Sequence, residues 1–330
     1  MRPKTRVLSI ICAASVLLVS GYFPSAAFDQ TSTGIKSQEL TPRPPQPNPA
    51  LRIRVDTTLV LIPVTVTDPQ NRFVLGLGKQ DFHLFEDSVE QNVAYFSGED
   101  APLSVGLVFD ESGSMGYKLR TSRQAVAQFL KTMNTDDEAF LVEFSDRAQL
   151  SVGFTTDTEK IQSALNASQP GGLTAMLDAI NMALQAMKKA KNPRKAVVII
   201  SDGGDNHSRY TAREIESLVR EADVQVYAMG VFEPILFLGM TPEEISGPRL
   251  LSEIAEQTGG RVFAAALASD LPSVAARIAI ELRNQYVLAY LPKNPNRDGK
   301  YRHVEVKTAQ PLGIPPVKAH WRRGYYAPNQ

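Results

Sequence analysis

Residues 104–114 have the sequence SVGLVFDESGS. The apolar run over 104–109 is continuous instead of alternating with polar residues, which is typical of a strand covered on both faces of a parallel sheet. The run ends at Asp110, and Ser112 and Ser114 complete the pattern D-x-S-x-S. Open α/β sheets bind ligands at the carboxyl ends of their strands. The segment therefore predicts a buried central strand with a polar site at its end.

The sequence around this strand alternates between strand and helix patterns. Further apolar runs predict strands at 139–144, 196–201 and 225–231. Helical spacing of apolar residues predicts helices at 118–133, 175–190, 212–221, 249–258 and 271–282. This alternation indicates the α/β class, with a doubly wound, mostly parallel sheet of the Rossmann-like type. We place this domain at residues 101–283.

Strand-like patterns also lie on both sides of the α/β domain. One β segment covers residues 51–100 and another covers 284–330. Each is too short to form a stable sheet alone, and the ends of a domain tend to lie close together. We therefore expect the two segments to pair as a small β-sandwich into which the α/β domain is inserted. The alternative is two unrelated flanks.

The N-terminus has the pattern of an export signal. Arg2, Lys4 and Arg6 precede an apolar run that ends at Phe23, and small residues follow. This predicts a signal peptide at 1–27 with cleavage after Ala27, and hence a secreted, periplasmic or cell-envelope protein. An uncleaved anchor is the alternative, although about 17 apolar residues are few for spanning a bilayer. Residues 28–50 are polar and rich in proline, and predict a disordered linker.

Two other segments are expected at the same sheet edge as Asp110. Residues 170–174 read PGGLT and place Thr174 before a helix, while Asp202 follows the apolar run at 196–201. With Ser112 and Ser114, these residues offer two carboxylates and three hydroxyls. Such hard oxygen ligands suit Mg²⁺, with Mn²⁺ and Ca²⁺ as alternatives. Because hydroxyls are neutral, a bound cation would still attract an anionic oxygen, such as an Asp or Glu carboxylate of a protein partner.

The three segments resemble the metal-ion-dependent adhesion site of von Willebrand factor A domains, over about residues 102–282. The resemblance implies direct ligation by Ser112 and Ser114, and by Thr174 in the ligand-bound form. It implies largely water-mediated ligation by Asp110 and Asp202. It implies a protein-binding or adhesion module. The flanks, including LGKQDF at 77–82 and GYY at 324–326, are similar to exported bacterial proteins of the acidobacterial type that carry such a domain.

Composition limits the remaining function classes. Lys plus Arg and Asp plus Glu number 35 each, so no chain-wide basic field favours nucleic acid. A single cysteine excludes a zinc site made of cysteines. No phosphate-binding or nucleophile motif is present, so we expect a binding protein and no enzyme. The alternatives are a structural or assembly module whose metal only stabilises the fold and, with less support, a metal-dependent hydrolase. The apolar segment within 232–247 has either a partner-binding or a packing role.

Overall fold

The computed structural model describes residues 59–231, 242–309 and 316–329. The predicted signal peptide, the linker and the first residues of the N-terminal β segment lie outside these ranges. Most of the 232–247 segment also lies outside them, and its last residues begin a helix. Within the described residues, no helix is both long enough and apolar enough to cross a membrane.

The strands and helices follow in chain order. The strands of the N-terminal part are β1 (Val60–Thr67), β2 (Phe82–Glu86), β3 (Val89–Gln91) and β4 (Val93–Ser97). Those of the α/β domain are β5 (Leu103–Asp110), β6 (Glu138–Phe144), β7 (Ala148–Thr155), β8 (Arg194–Ser201), β9 (Gln225–Val231) and β10 (Val262–Ala265). The C-terminal strands are β11 (Tyr286–Tyr290), β12 (Tyr301–Thr308), β13 (Lys318–Trp321) and β14 (Gly324–Tyr326). The helices are α1 (Leu119–Leu130), α2 (Thr158–Ala167), α3 (Met176–Met187), α4 (Ala212–Glu221), α5 (Pro242–Gln257) and α6 (Leu271–Arg283).

The central sheet has the order β10-β9-β8-β5-β6-β7, and only β7 runs antiparallel to its neighbour. The predicted α/β class and mostly parallel sheet are therefore confirmed. Every residue of β5 is buried. Val105, Leu107 and Phe109 pack towards α1, α2 and α6, whereas Val108 packs towards α3, α4 and α5. The continuous apolar run exists because helices cover both faces of the strand.

Some elements differ from the sequence predictions. Strands β7 and β10 and helix α2 were not predicted, because β7 is a half-exposed edge strand and β10 has only four residues. Helix α5 begins at Pro242 instead of 249. Gly247 and Pro248 are poor helix formers, which explains the late predicted start.

The flanking β segments form two four-stranded sheets, ordered β13-β1-β11-β4 and β14-β12-β2-β3. Each sheet combines strands from before and after the α/β domain. Residues from both sheets, among them Ile62, Leu84, Leu288 and Val306, share one apolar cluster. The predicted pairing of the two flanks into a sandwich around the α/β domain is therefore present.

A buried polar network joins the end of α6 to the sandwich. The Gln285 amide donates to the Thr65 hydroxyl at 3.2 Å and to the Tyr227 hydroxyl at 3.0 Å. Tyr227 in turn donates to Glu281 at 3.2 Å, and Glu281, which is fully buried, pairs with Arg261. Residues of β1, β9 and α6 are thus hydrogen-bonded to one another at the junction.

Candidate metal site

The carboxylate at the end of β5 is held rigidly. Asp110 is fully buried, and its two oxygens accept hydrogen bonds from the Ser112 backbone N–H at 2.8 Å and the Ser201 hydroxyl at 2.6 Å. Burial, followed by the nearby negative charge of Asp202, raises the pKa of Asp110 to about 7. The two acidic groups therefore lie close enough together for the charge of Asp202 to affect Asp110.

The two predicted serine ligands lie side by side. The Oγ atoms of Ser112 and Ser114 are 3.2 Å apart, on the turn that leads into a short 3-10 helix at Gly113–Met115. Met115 is fully buried and fixes this turn against the domain. The Gly113 N–H donates to the carbonyl of Gly172 at 3.1 Å, which joins the serine turn to the Thr174 loop.

The Thr174 loop is tied to its neighbours through its backbone. Gly171 N–H donates to the Glu111 carbonyl at 2.8 Å, and the Thr174 N–H donates to the Asn206 side chain at 2.9 Å. Thr174 is only 6% exposed. Helix α3 starts at Met176, and its N-cap residue, Ala175, makes no side-chain hydrogen bond.

Asp202 follows β8 and is also buried. Its Oδ2 atom lies 3.2 Å from the ammonium of Lys118, whereas its Oδ1 atom is buried with no hydrogen-bond partner among the described residues. Gly203 turns the chain with a φ of +88°, and an added Cβ there would lie 2.8 Å from the backbone of Gly247 in α5. The turn after Asp202 thus requires a glycine at position 203, because α5 packs directly against it.

Three further side chains support the site. Lys118 is 7% exposed and pairs with Asp202, yet the sequence placed it only at the start of a helix. Asp178 accepts from the N–H groups of Arg209 and Tyr210, and Asp205 accepts from the N–H of Leu177. These two acids connect the loop after Asp202 to the first turn of α3.

The donor set fits a hard, oxygen-binding cation. Among the described residues, no group of three or more His, Cys, Asp and Glu is arranged to hold a metal. A cation here would therefore depend on hydroxyl ligands, and Ser112 and Ser114 supply an adjacent pair. The unpartnered Oδ1 of Asp202 is a buried acceptor of the kind that a hydrated divalent cation satisfies. The residues present fit Mg²⁺.

Known proteins are similar in sequence to this part of the chain. Residues 105–204 match the family described as the von Willebrand factor type A domain. An uncharacterised protein of Borreliella burgdorferi is 24% identical over 184 residues, covering 49% of this chain and 54% of that protein. Inter-alpha-trypsin inhibitor heavy chain H4 of Sus scrofa is 29% identical over 144 residues, covering 39% of this chain and 16% of its own length. The matched region thus spans about half or less of these curated relatives.

Solved structures also align with a comparable region of the chain. BatB from Bacteroides thetaiotaomicron aligns with a TM-score of 0.45 and 18% identity, over 55% of this chain and 98% of BatB. Proximal thread matrix protein 1 from the mussel byssus aligns with a TM-score of 0.48 and 19% identity, over 60% of this chain and 51% of its own. The family match covers β5, the Thr174 loop and the end of β8, which carry the three motif segments. This part of the chain is therefore similar to von Willebrand factor type A domains.

Proposed function

We propose that the A domain binds one divalent cation, Mg²⁺ in preference to Mn²⁺ or Ca²⁺, and through it binds an acidic side chain of a protein partner. Ser112, Ser114 and Thr174 would ligate it directly, and Asp110 and Asp202 would act mainly through water. When bound, the cation supplies an electron-poor coordination position for a carboxylate oxygen. The protein would work outside the cytoplasm, because its N-terminal sequence has the pattern of an export signal.

The observation that carries this proposal is the state of the two carboxylates. Asp110 has both oxygens occupied by protein donors, whereas Asp202 keeps one buried oxygen without a partner in the described residues. A buried, unsatisfied carboxylate oxygen costs free energy unless a ligand satisfies it. The adjacent serine hydroxyls provide the remaining oxygen donors next to Asp110.

The ligand set also favours an acidic partner. Lys118 already offsets the charge of Asp202, and the hydroxyls of Ser112, Ser114 and Thr174 carry no charge. The residues therefore neutralise only a small part of the charge of a divalent cation. A carboxylate from another protein would supply the missing negative charge, which neutral donors of this chain do not.

Calorimetric titration with Mg²⁺ tests the cation site. We expect Ser114→Ala and Thr174→Ala to weaken Mg²⁺ binding by at least about tenfold, since each removes one ligand. Thr308→Ala, which alters a threonine of strand β12 in the sandwich, serves as the matched control and should bind as the wild type does. Equal Mg²⁺ affinity in all four proteins would overturn the assignment of these ligands.

The two alternatives give different results. If the metal only stabilises the fold, Ser114→Ala would lower the melting temperature without changing binding of a partner. If the protein is a metal-dependent hydrolase, it would show turnover that requires Mg²⁺ and disappears in Asp110→Ala. We expect loss of partner binding with the fold retained, and no turnover.

A further inference from the structure

Two exposed apolar side chains stand beside the proposed metal ligands. Tyr117 is 67% exposed, the highest value among the large apolar side chains of the described residues, and it lies three positions after Ser114. Leu173 is 47% exposed and immediately precedes Thr174. Both sit on the segments that carry the proposed ligands. Side chains this exposed contribute little to the core, so their position calls for another explanation.

The two segments that carry these side chains are joined by hydrogen bonds, and we call Tyr117 and Leu173 together the rim. The Gly113 N–H donates to the Gly172 carbonyl at 3.1 Å, so the turn before Tyr117 and the loop that holds Leu173 are directly bonded. The Leu173 N–H also donates to the Asp146 carboxylate at 2.7 Å, which fixes the backbone of that residue. Hydrogen bonds from backbone N–H groups therefore fix the two segments that carry the rim.

The rim also connects to the charged centre of the site. The ammonium of Lys118 lies 5.3 Å from the centre of the Tyr117 ring and 3.2 Å from Asp202 Oδ2. Tyr117 thus extends outwards from the same lysine that pairs with a proposed ligand. A partner that reached the cation with a carboxylate would bring its neighbouring side chains against Tyr117 and Leu173.

We propose that Tyr117 and Leu173 select a partner loop in which an apolar side chain lies directly next to the Asp or Glu that reaches the metal site. This proposal rests on the proposed function of the site. Its occupant is a protein loop of that chemistry, because a cation bound at the proposed site would attract an anion and the two exposed side chains of the rim are apolar. Removing such apolar area from water on binding is favourable, and aromatic anchors are common in binding hot spots.

A library of displayed cyclic peptides, selected on the full chain in the presence of Mg²⁺, tests the proposal. We expect the enriched sequences to contain Asp or Glu with an apolar residue beside it. The best peptide should bind about tenfold more weakly to Tyr117→Ser and to Leu173→Gln. Val89→Ser is the matched control, because Val89 is 52% exposed on strand β3 of the sandwich, and it should bind as the wild type does.

The results separate the two proposals. Enriched peptides that carry an acid but no apolar preference, or that bind both rim variants with unchanged affinity, would overturn the role of the rim and leave the metal site standing. Selection that yields no acidic sequences, or peptides that still bind in chelator and to Thr174→Ala, would overturn the proposed function itself. Thermal melting of each variant verifies that it is folded, and the two rim variants test the same surface independently.

Discussion

The α/β domain and the β-sandwich use strands in opposite ways. All eight residues of β5 are buried, whereas β12 in the sandwich alternates buried and exposed side chains. Parallel strands also end at one common edge, so β5 and β8 deliver Asp110 and Asp202 to the same place. Neighbouring strands of an antiparallel sandwich end at opposite edges. Only the first arrangement collects polar residues from distant parts of the chain at one edge of the sheet.

The buried carboxylates of the two regions show the same contrast. In the sandwich, Glu86 is 2% exposed, and one of its oxygens accepts hydrogen bonds from Tyr290 and Tyr325, each at 2.7 Å. In the α/β domain, Asp202 has one oxygen paired with Lys118 and one without a partner in the described residues. The sandwich carboxylate is thus satisfied by the protein, whereas a carboxylate of the proposed metal site keeps an open acceptor. The following predictions test this difference.

The largest effect is expected at the junction between the two regions. Glu281→Ala removes a fully buried carboxylate that pairs with Arg261 and accepts from Tyr227. We expect a loss of about 3–5 kcal/mol in the free energy of unfolding, since a buried guanidinium is left without its partner. Urea denaturation measures this loss. Glu305→Ala, at an exposed position of β12, should change stability by less than about 0.5 kcal/mol.

Removing one donor from the sandwich carboxylate should have a smaller effect. In Tyr290→Phe, Glu86 keeps the hydrogen bond from Tyr325 and loses the one from Tyr290. Its buried carboxylate is therefore less well satisfied. We expect about 1–2 kcal/mol of destabilisation, which does not depend on Mg²⁺. Tyr95→Phe, with Tyr95 46% exposed, is the control. If added Mg²⁺ restored the stability of Tyr290→Phe, the distinction between the two carboxylates would be wrong.

Lys118→Met tests the charge balance of Asp202, the carboxylate with one unpartnered oxygen in the described residues. The variant removes the ammonium that lies 3.2 Å from Asp202 and leaves a buried anion without this partner. In chelator we expect stability to fall by about 1–3 kcal/mol. Added Mg²⁺ should then raise the melting temperature more than it does in the wild type, because the cation replaces the lost positive charge. Lys160→Met, an exposed control, should behave as the wild type does. Equal Mg²⁺-induced shifts in the variant and the wild type would contradict this role for Lys118.

The last effect concerns the acid sensitivity of the sandwich. Burial, helped by the positive charges of Arg261, Lys318 and Arg323, lowers the pKa of His320 to about 4. Between about pH 6.5 and pH 4 the unfolded chain binds a proton here that the folded chain does not, so stability falls as the pH falls through this window. His320→Gln should reduce the loss of unfolding free energy over this pH range by about 1–2 kcal/mol. His83→Gln, at an exposed histidine, is the control for the substitution itself and should change the free energy of unfolding by less than about 0.5 kcal/mol.

Much of the fold was predictable, because its main strands carry an unambiguous pattern. The run at 104–109 has to be covered on both faces, and this identified β5, its parallel neighbours and the sheet edge. The half-exposed β7 lacks such a pattern, so pairing with β6 decides its conformation. In the candidate site, the serine turn and the Thr174 loop were identified by their motifs. Lys118 and the close approach of Gly203 to Gly247 depend on tertiary contacts that sequence spacing does not show.

The pairing of β1 with both β11 and β13 has a mechanical consequence. If the chain is tethered through its N-terminus while a partner pulls on the metal site, the load enters through β1 and is passed sideways to strands from the other end of the chain. Strands loaded along their length resist by breaking several hydrogen bonds at once, instead of one after another. The sandwich would then protect the domain that binds the partner from unfolding under tension.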